Sequence, residues 1–337
     1  MNEKKLELVD FLRGGAIFTI ALMHLVAGSL TGTLNKMAAF GGAGVHVFIL
    51  VSGFGLYLSF LKRPLSYRDF LKRRFSKVYW PYAIAVVGWV LWYWALGDGI
   101  LWKEGISHLL LYKMFVPDLD VSLCYPYWFI SCILQFYLCW PLIVRTARMG
   151  GGKLNRYGIA TCMLISLTWT TAVGLLGYQD FRPWGSCFLQ YLWEFVLGMW
   201  LAEKYFECSD NEKWFQIENI QWKWILIGAI CGMCLSGFMG LKGGILKLYN
   251  DIPSLIGYLS CLLIVYKLGI KQINKFFVWA SSFGYELYLV HSLTFVVLHT
   301  IIGGKLPLLM ELLFCFVGAY VVAYCYNWLL KYTFHRK

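Results

Sequence analysis

Apolar runs long enough to cross a lipid bilayer recur along the whole chain, each closed by charge, glycine or proline. They lie near 11–30, 40–61, 78–96, 127–144, 158–177, 185–202, 222–240, 252–269, 279–302 and 306–330. A hydrocarbon core about 30 Å thick is spanned by about 20 helical residues. Lipid offers no hydrogen bonds to the backbone, so such runs are satisfied only as helices. The expected fold is therefore all-α, a polytopic integral membrane helical bundle of about ten transmembrane helices. Composition agrees: 59% hydrophobic residues, 14% charged residues and a mean hydropathy of +0.61 exclude an ordinary soluble protein. The first run is long, holds Arg13 and shows no small-residue cleavage site, so it reads as a span rather than a cleavable signal.

The net charge of +12 would suggest nucleic acid in a soluble domain. Here the cations lie between apolar runs, which makes orientation in a bilayer the better explanation and nucleic acid no partner. With a cytoplasmic amino terminus, 23 of the 30 Lys and Arg residues fall in inner segments. Only Lys36, Lys103, Lys113, Arg182, Lys242, Lys247 and Lys305 fall outside. Both termini are thus expected on the cytoplasmic side. The longest loop, about 97–126, is too short for a second globular domain and includes Ile106–Phe115, expected as a short re-entrant or interfacial helix. Most of the 11 cysteines sit within apolar runs and read as packing residues. Cys231 and Cys234 form a C-x-x-C without a second pair or a nearby His, so no metal is expected.

Ionisable residues inside spans are costly and mark candidate function. Asp10, Arg13 and His24 lie in the first run, His46 in the second, and Glu194, Glu286, His291, His299 and Glu311 further along. The step from Arg13 to His24 turns a helix to within about 20° of the same azimuth and rises about 16 Å. One face therefore carries a cation near the inner boundary and an imidazole deep in the span. Asp10, one turn before Arg13, is placed for a local ion pair. Glu286 and His291 differ by about 140° and do not share a face. The loop from Lys62 to Lys77 holds seven cations and one acid, Asp69. It reads as a topology determinant or as a receptor for a polyanion such as the phosphates of coenzyme A.

Several stretches, in order, carry a resemblance. Leu8-Val9-Asp10-Phe11-Leu12-Arg13-Gly14-Gly15-Ala16 followed by His24, and Gly44 to Phe54 including Ser52, are two of them. Arg74-Phe75-Ser76-Lys77 before Pro81, then Trp128, Ser131, Gln135, Phe136, Tyr137, Trp140 and Pro141, and finally Tyr285-Glu286-Leu287-Tyr288-Leu289-Val290-His291 are the others. Together they resemble the membrane acyltransferase-3 family, in its short, membrane-only branch. Departures include Ile133 and Leu134, where many members place acids, and Lys77, where the second Arg of a basic motif stands.

The resemblance implies a single membrane domain over residues 1–337. It also implies transfer of an acyl group, most simply acetyl, from cytoplasmic acyl-CoA to a hydroxyl of a cell-surface or lipid-linked carbohydrate. Catalytic roles then fall to His24, as general base or acyl carrier, with Arg13 and Asp10 beside it. Arg73, Arg74 and Lys77 would bind the coenzyme phosphates. Glu194, Tyr285, Glu286, His291 and Ser52 would contact substrate. Acetyl-CoA is expected as co-substrate with no tightly bound cofactor, in a bacterial plasma membrane. A proton-coupled transporter or exporter of a glycan or lipid-linked precursor is the alternative.

Overall fold

The computed structural model describes residues 3–27, 29, 32, 38–97, 102–120, 122–208 and 219–334. Lys36, Lys213, Arg336 and Lys337, which entered the charge count, lie outside the described residues. No strand occurs among the described residues. The helices of eight residues or more are α1 (Glu3–Val26), α2 (Gly44–Lys62), α3 (Tyr67–Ala95), α4 (Trp102–Leu109), α5 (Trp128–Leu138), α6 (Trp140–Arg148) and α7 (Arg156–Leu175). They continue as α8 (Leu192–Glu207), α9 (Trp222–Lys242), α10 (Asp251–Lys267), α11 (Lys271–Ser281), α12 (Gly284–Ile302) and α13 (Leu308–Phe334).

All ten apolar runs contain helix, but six of these helices are long and apolar enough to cross a membrane, or seven with α5 and α6 taken as one bent span. Helices α8 and α10, at 16 and 17 residues, are short for a crossing. Helix α3 opens with charged turns and continues through a stretch rich in Trp and Tyr. The run at 127–144 is not one straight helix, since α5 and α6 meet at a 57° bend. Pro141 explains the bend: it lacks an N–H and its ring crowds the carbonyl four residues back, at Tyr137. The Tyr67 hydroxyl donates to the Leu138 carbonyl (2.7 Å) at the same break. Run 185–202 becomes helical only from Leu192, because Ser166 Oγ holds the carbonyls of Leu189 (2.7 Å) and Gln190 (3.0 Å) in a turn. In the long loop the helix is Trp102–Leu109, one turn earlier than expected, and Leu111 with φ 63° takes the chain out of it.

Helix α1 runs through the middle of the bundle, packed on α2, α11 and α12. One tight crossing is between α2 and α8. There a Cβ at Gly53 would overlap the Phe195 carbonyl, and one at Gly198 would overlap the Leu50 carbonyl. Two glycines facing each other's backbones let these helices approach as small residues do in membranes. Helix α3 starts at Ser66, whose hydroxyl caps Asp69 N (3.2 Å) just beyond Pro64. That cap fixes the direction in which Arg73, Arg74 and Lys77 leave the basic loop.

Candidate functional site

A cavity of about 1180 Å³ runs between α1, α2, α3, α5, α12 and α13. Its α1 wall is Arg13, Ile20, Met23 and His24, so the face read from helical rotation is the face that lines it. Helix α2 adds Val45, Phe48, Ser52 and Gly55, spaced three and four apart as one stripe. Around Arg13 gather Arg73, Arg74, Lys77 and Glu286, with Lys331 from α13, making one end strongly basic. Towards the His24 end the lining includes Tyr125, Trp128 and Arg182. Arg182 lies over the rings of Tyr125 (4.4 Å) and Trp128 (5.1 Å) and faces Asp120 at 3.6 Å.

His24 has a partner in His291, its Nδ1 standing 2.9 Å from His291 Nε2 with the rings stacked at 16°. His291 is fully buried, and its Nδ1 is 3.0 Å from the Leu287 carbonyl. A carbonyl only accepts, so His291 Nδ1 carries the proton and a neutral His291 presents the lone pair of Nε2. That lone pair accepts from His24 Nδ1–H, and the Ser292 hydroxyl, 3.1 Å away, is a second donor to it. The other ring nitrogen of His24, Nε2, is then left with its lone pair. The main chain of α12 thus sets the tautomer of an imidazole on α1. Helix α12 is braced for this by Tyr127 Oη donating to the Leu289 carbonyl (2.6 Å) and Tyr288 Oη donating to the Pro126 carbonyl (2.5 Å).

The other expected site residues divide into three groups. Ser52, Tyr285, Glu286, Arg73, Arg74 and Lys77 all line the cavity, with the Tyr285 hydroxyl tied to the Val78 carbonyl at 2.7 Å. Asp10 does not line it; the carboxylate meets Arg13 at 3.0 Å, the two side chains 42% and 35% exposed, and so holds the guanidinium from behind. Glu194 is elsewhere. It is fully buried, and its Oε1 is 2.7 Å from His46 Nδ1, across the α2–α8 contact. Neither Glu194 nor His291 lines the cavity in which both were expected to contact substrate.

His46, Glu194 and Asp251 offer ligand atoms within 4.8 Å of one another, a donor set of the kind that suits a divalent cation. His46 Nε2 stands 3.7 Å from Asp251, which Gln190 orients through a 2.7 Å hydrogen bond, while Glu194 Oε2 has no hydrogen-bond partner among the described residues. His299 and Glu311 pair with each other away from the cavity. Cys231 and Cys234 lie on an exposed face of α9 rather than packed inside the bundle.

Residue spacing did not reveal Arg182, Asn327 and Lys331 as lining residues. Arg182 carried a signal in being one of few cations outside the inner segments, whereas Lys331 was indistinguishable from a topology charge.

A family model described as an acyltransferase domain matches residues 7–328, and the chain belongs to this acyltransferase-3 family. Among curated proteins it is similar to acyltransferase MdmB of Streptomyces mycarofaciens, 31% identical over 137 residues, which is 38% of this chain. The match spans 35% of that relative's length. No solved structure is significantly similar. The class defined by fold, cavity and family is that of a membrane-helical enzyme that transfers acyl groups.

Proposed function

We propose that the protein transfers an acetyl group from cytoplasmic acetyl-CoA, across a bacterial plasma membrane, to a hydroxyl of a cell-surface or lipid-linked carbohydrate. The observation that carries this reading is a cavity that joins a cluster of cations to His24. Coenzyme A is an extended molecule with phosphates at one end and the thioester at the other. The axial distance from Arg13 to His24, about 16 Å, suits its pantetheine arm. In this reading ten segments cross the bilayer, both termini are cytoplasmic, and the basic end faces the cytoplasm.

The chemistry follows from the tautomer. The acceptor hydroxyl approaches from the His24 end, and Nε2 removes its proton as the oxygen attacks the thioester carbonyl. His291 Nε2 and the Leu287 carbonyl behind it stabilise the imidazolium that forms. The tetrahedral intermediate collapses with cleavage of the C–S bond, and the departing sulfur takes the proton back from His24. The products are the ester and free coenzyme A, with His24 restored. Arg13, held by Asp10, and the Arg73, Arg74 and Lys77 group bind the donor phosphates, the arginines by paired N–H groups and Lys77 as a point charge. Tyr125 and Trp128 offer flat faces for the acceptor at the outer end, and Arg182 offers a guanidinium.

The test is acetyl transfer in proteoliposomes by wild-type protein and His24→Ala. Retained transfer in a folded His24→Ala variant would remove His24 from the mechanism.

A further inference from the structure

A second cavity, about 280 Å³, opens beside the basic end of the first, between α2, α3 and α6. Arg73, Arg74 and Leu56 line both, so the two spaces adjoin. Arg63 and Arg145 join Arg73 and Arg74 around the smaller one. None of these four guanidinium groups has a carboxylate within 4.0 Å among the described residues, although Arg13, Arg182, Lys153, Lys204 and Lys247 all do. The nearby acid, Asp69, is engaged by the Ser66 hydroxyl at 2.6 Å. Four guanidinium groups lining one cavity with no carboxylate in contact favour an anion there, and arginine's fork matches a phosphate.

The cavity is also aromatic. Phe70 and Trp140 stack at 5.5 Å and 18°, Phe60 meets Trp140 edge-on at 5.9 Å, and Arg74 lies 5.9 Å over Phe70. Flat rings beside uncompensated guanidiniums suit a ligand that is itself a flat ring bearing phosphate.

Resting on the acyl-CoA reading above, we infer that this cavity holds the 3′-phosphorylated adenosine of the donor. Arg63 from the end of α2 and Arg145 from α6 grip the 3′-phosphate. Arg73 and Arg74, shared between the cavities, take the diphosphate, from which the pantetheine arm enters the larger cavity towards His24. The chain thereby distinguishes coenzyme A thioesters from thioesters carried on a bare phosphopantetheine arm.

The experiment measures kcat and KM with three donors: acetyl-CoA, acetyl-dephospho-CoA, which lacks the 3′-phosphate, and acetyl-phosphopantetheine, which lacks the nucleotide. Wild type is compared with Arg63→Gln, Arg145→Gln and the double variant, in vesicles of phosphatidylcholine alone and with phosphatidylglycerol. Binding of adenosine 3′,5′-bisphosphate is titrated in parallel. Expected are a wild-type KM lowest for acetyl-CoA and a rise of at least about tenfold in that KM in the double variant, the scale of a lost charged hydrogen bond. The variant's KM for acetyl-phosphopantetheine and its kcat stay unchanged, and bisphosphate binding is lost.

Equal wild-type KM values for the three donors, or a double variant unchanged towards all of them, would overturn the assignment while leaving acyl transfer intact. Variants that alter only the dependence on phosphatidylglycerol would assign the cavity to a lipid headgroup instead. No turnover of any donor and no bisphosphate binding by folded protein would remove the acyl-CoA reading and the cavity's role together.

Discussion

Replacing His291 by Gln separates an orienting histidine from a reacting one. In the wild type the Leu287 carbonyl fixes the proton on His291 Nδ1, and His291 Nε2 in turn holds the proton on His24 Nδ1 at 2.9 Å. Without an acceptor of that geometry, the His24 tautomer with a basic Nε2 keeps an unsatisfied N–H in a low-dielectric setting. Leaving a fully buried donor unpaired costs about 1–3 kcal/mol; His24 is part-buried on a cavity wall, so the lower part of that range, about 1–2 kcal/mol, applies and reduces the reactive tautomer by about 5- to 30-fold. The expected fall in kcat is of that size, smaller than the about 10²- to 10⁴-fold expected for His24→Ala, where the general base itself is lost. KM for acetyl-CoA is expected to stay unchanged, because His291 does not line the cavity that takes the donor. The assay is initial-rate acetyl transfer in proteoliposomes, with thermal unfolding of each variant to confirm folding. A His291→Gln variant with wild-type kcat, or one whose main defect is in KM, would refute the argument that α12 sets the tautomer.

Arg13→Gln should raise KM for acetyl-CoA about tenfold or more, as loss of a charge-assisted phosphate contact does, whereas Asp10→Asn should have a smaller effect because that pair is partly exposed; both are read from donor saturation curves. Gly53→Leu should abolish the folded protein, since its side chain has to occupy the Phe195 carbonyl, and size-exclusion chromatography of detergent extracts will show loss of the monodisperse peak. Glu194→Ala should lower thermal stability, by about 1–3 kcal/mol for an orphaned buried partner at His46, while leaving KM for acetyl-CoA unchanged in the protein that remains folded.

Local periodicity reveals faces but not neighbours, and the site shows both sides of that rule. Arg13 and His24 share a straight helix, so rotation per residue was enough to put them on one wall. The basic run before Pro81 was legible as a cluster of cations but served a topology determinant as well as a polyanion receptor, and only the packing of α3 puts Arg73, Arg74 and Lys77 on the cavity wall. The His24–His291 pair, 267 positions apart, depends on how α1 and α12 cross, and no spacing within either helix contains that information. Glu194 shows the converse: its burial in a span marked it correctly as unusual, but its partner proved to be His46, brought to it by the Gly53–Gly198 crossing. The bend at Pro141 was available from the sequence, yet an apolar run continues through it, so hydropathy alone reads one span where the backbone makes two helices.

In the proposed function, one cavity carries an acetyl group from a coenzyme A donor to an acceptor held at His24. That transfer is tested most directly by following label from radioactive acetyl-CoA into membrane glycans and lipid-linked sugars, in proteoliposomes containing wild-type protein, His24→Ala or no protein. Label is expected in an acceptor fraction with wild type, and at least about a hundredfold less of it with His24→Ala. Equal labelling by the two proteins, or none from acetyl-CoA by folded wild type supplied with acceptor, would contradict that function, the second result pointing to a transporter.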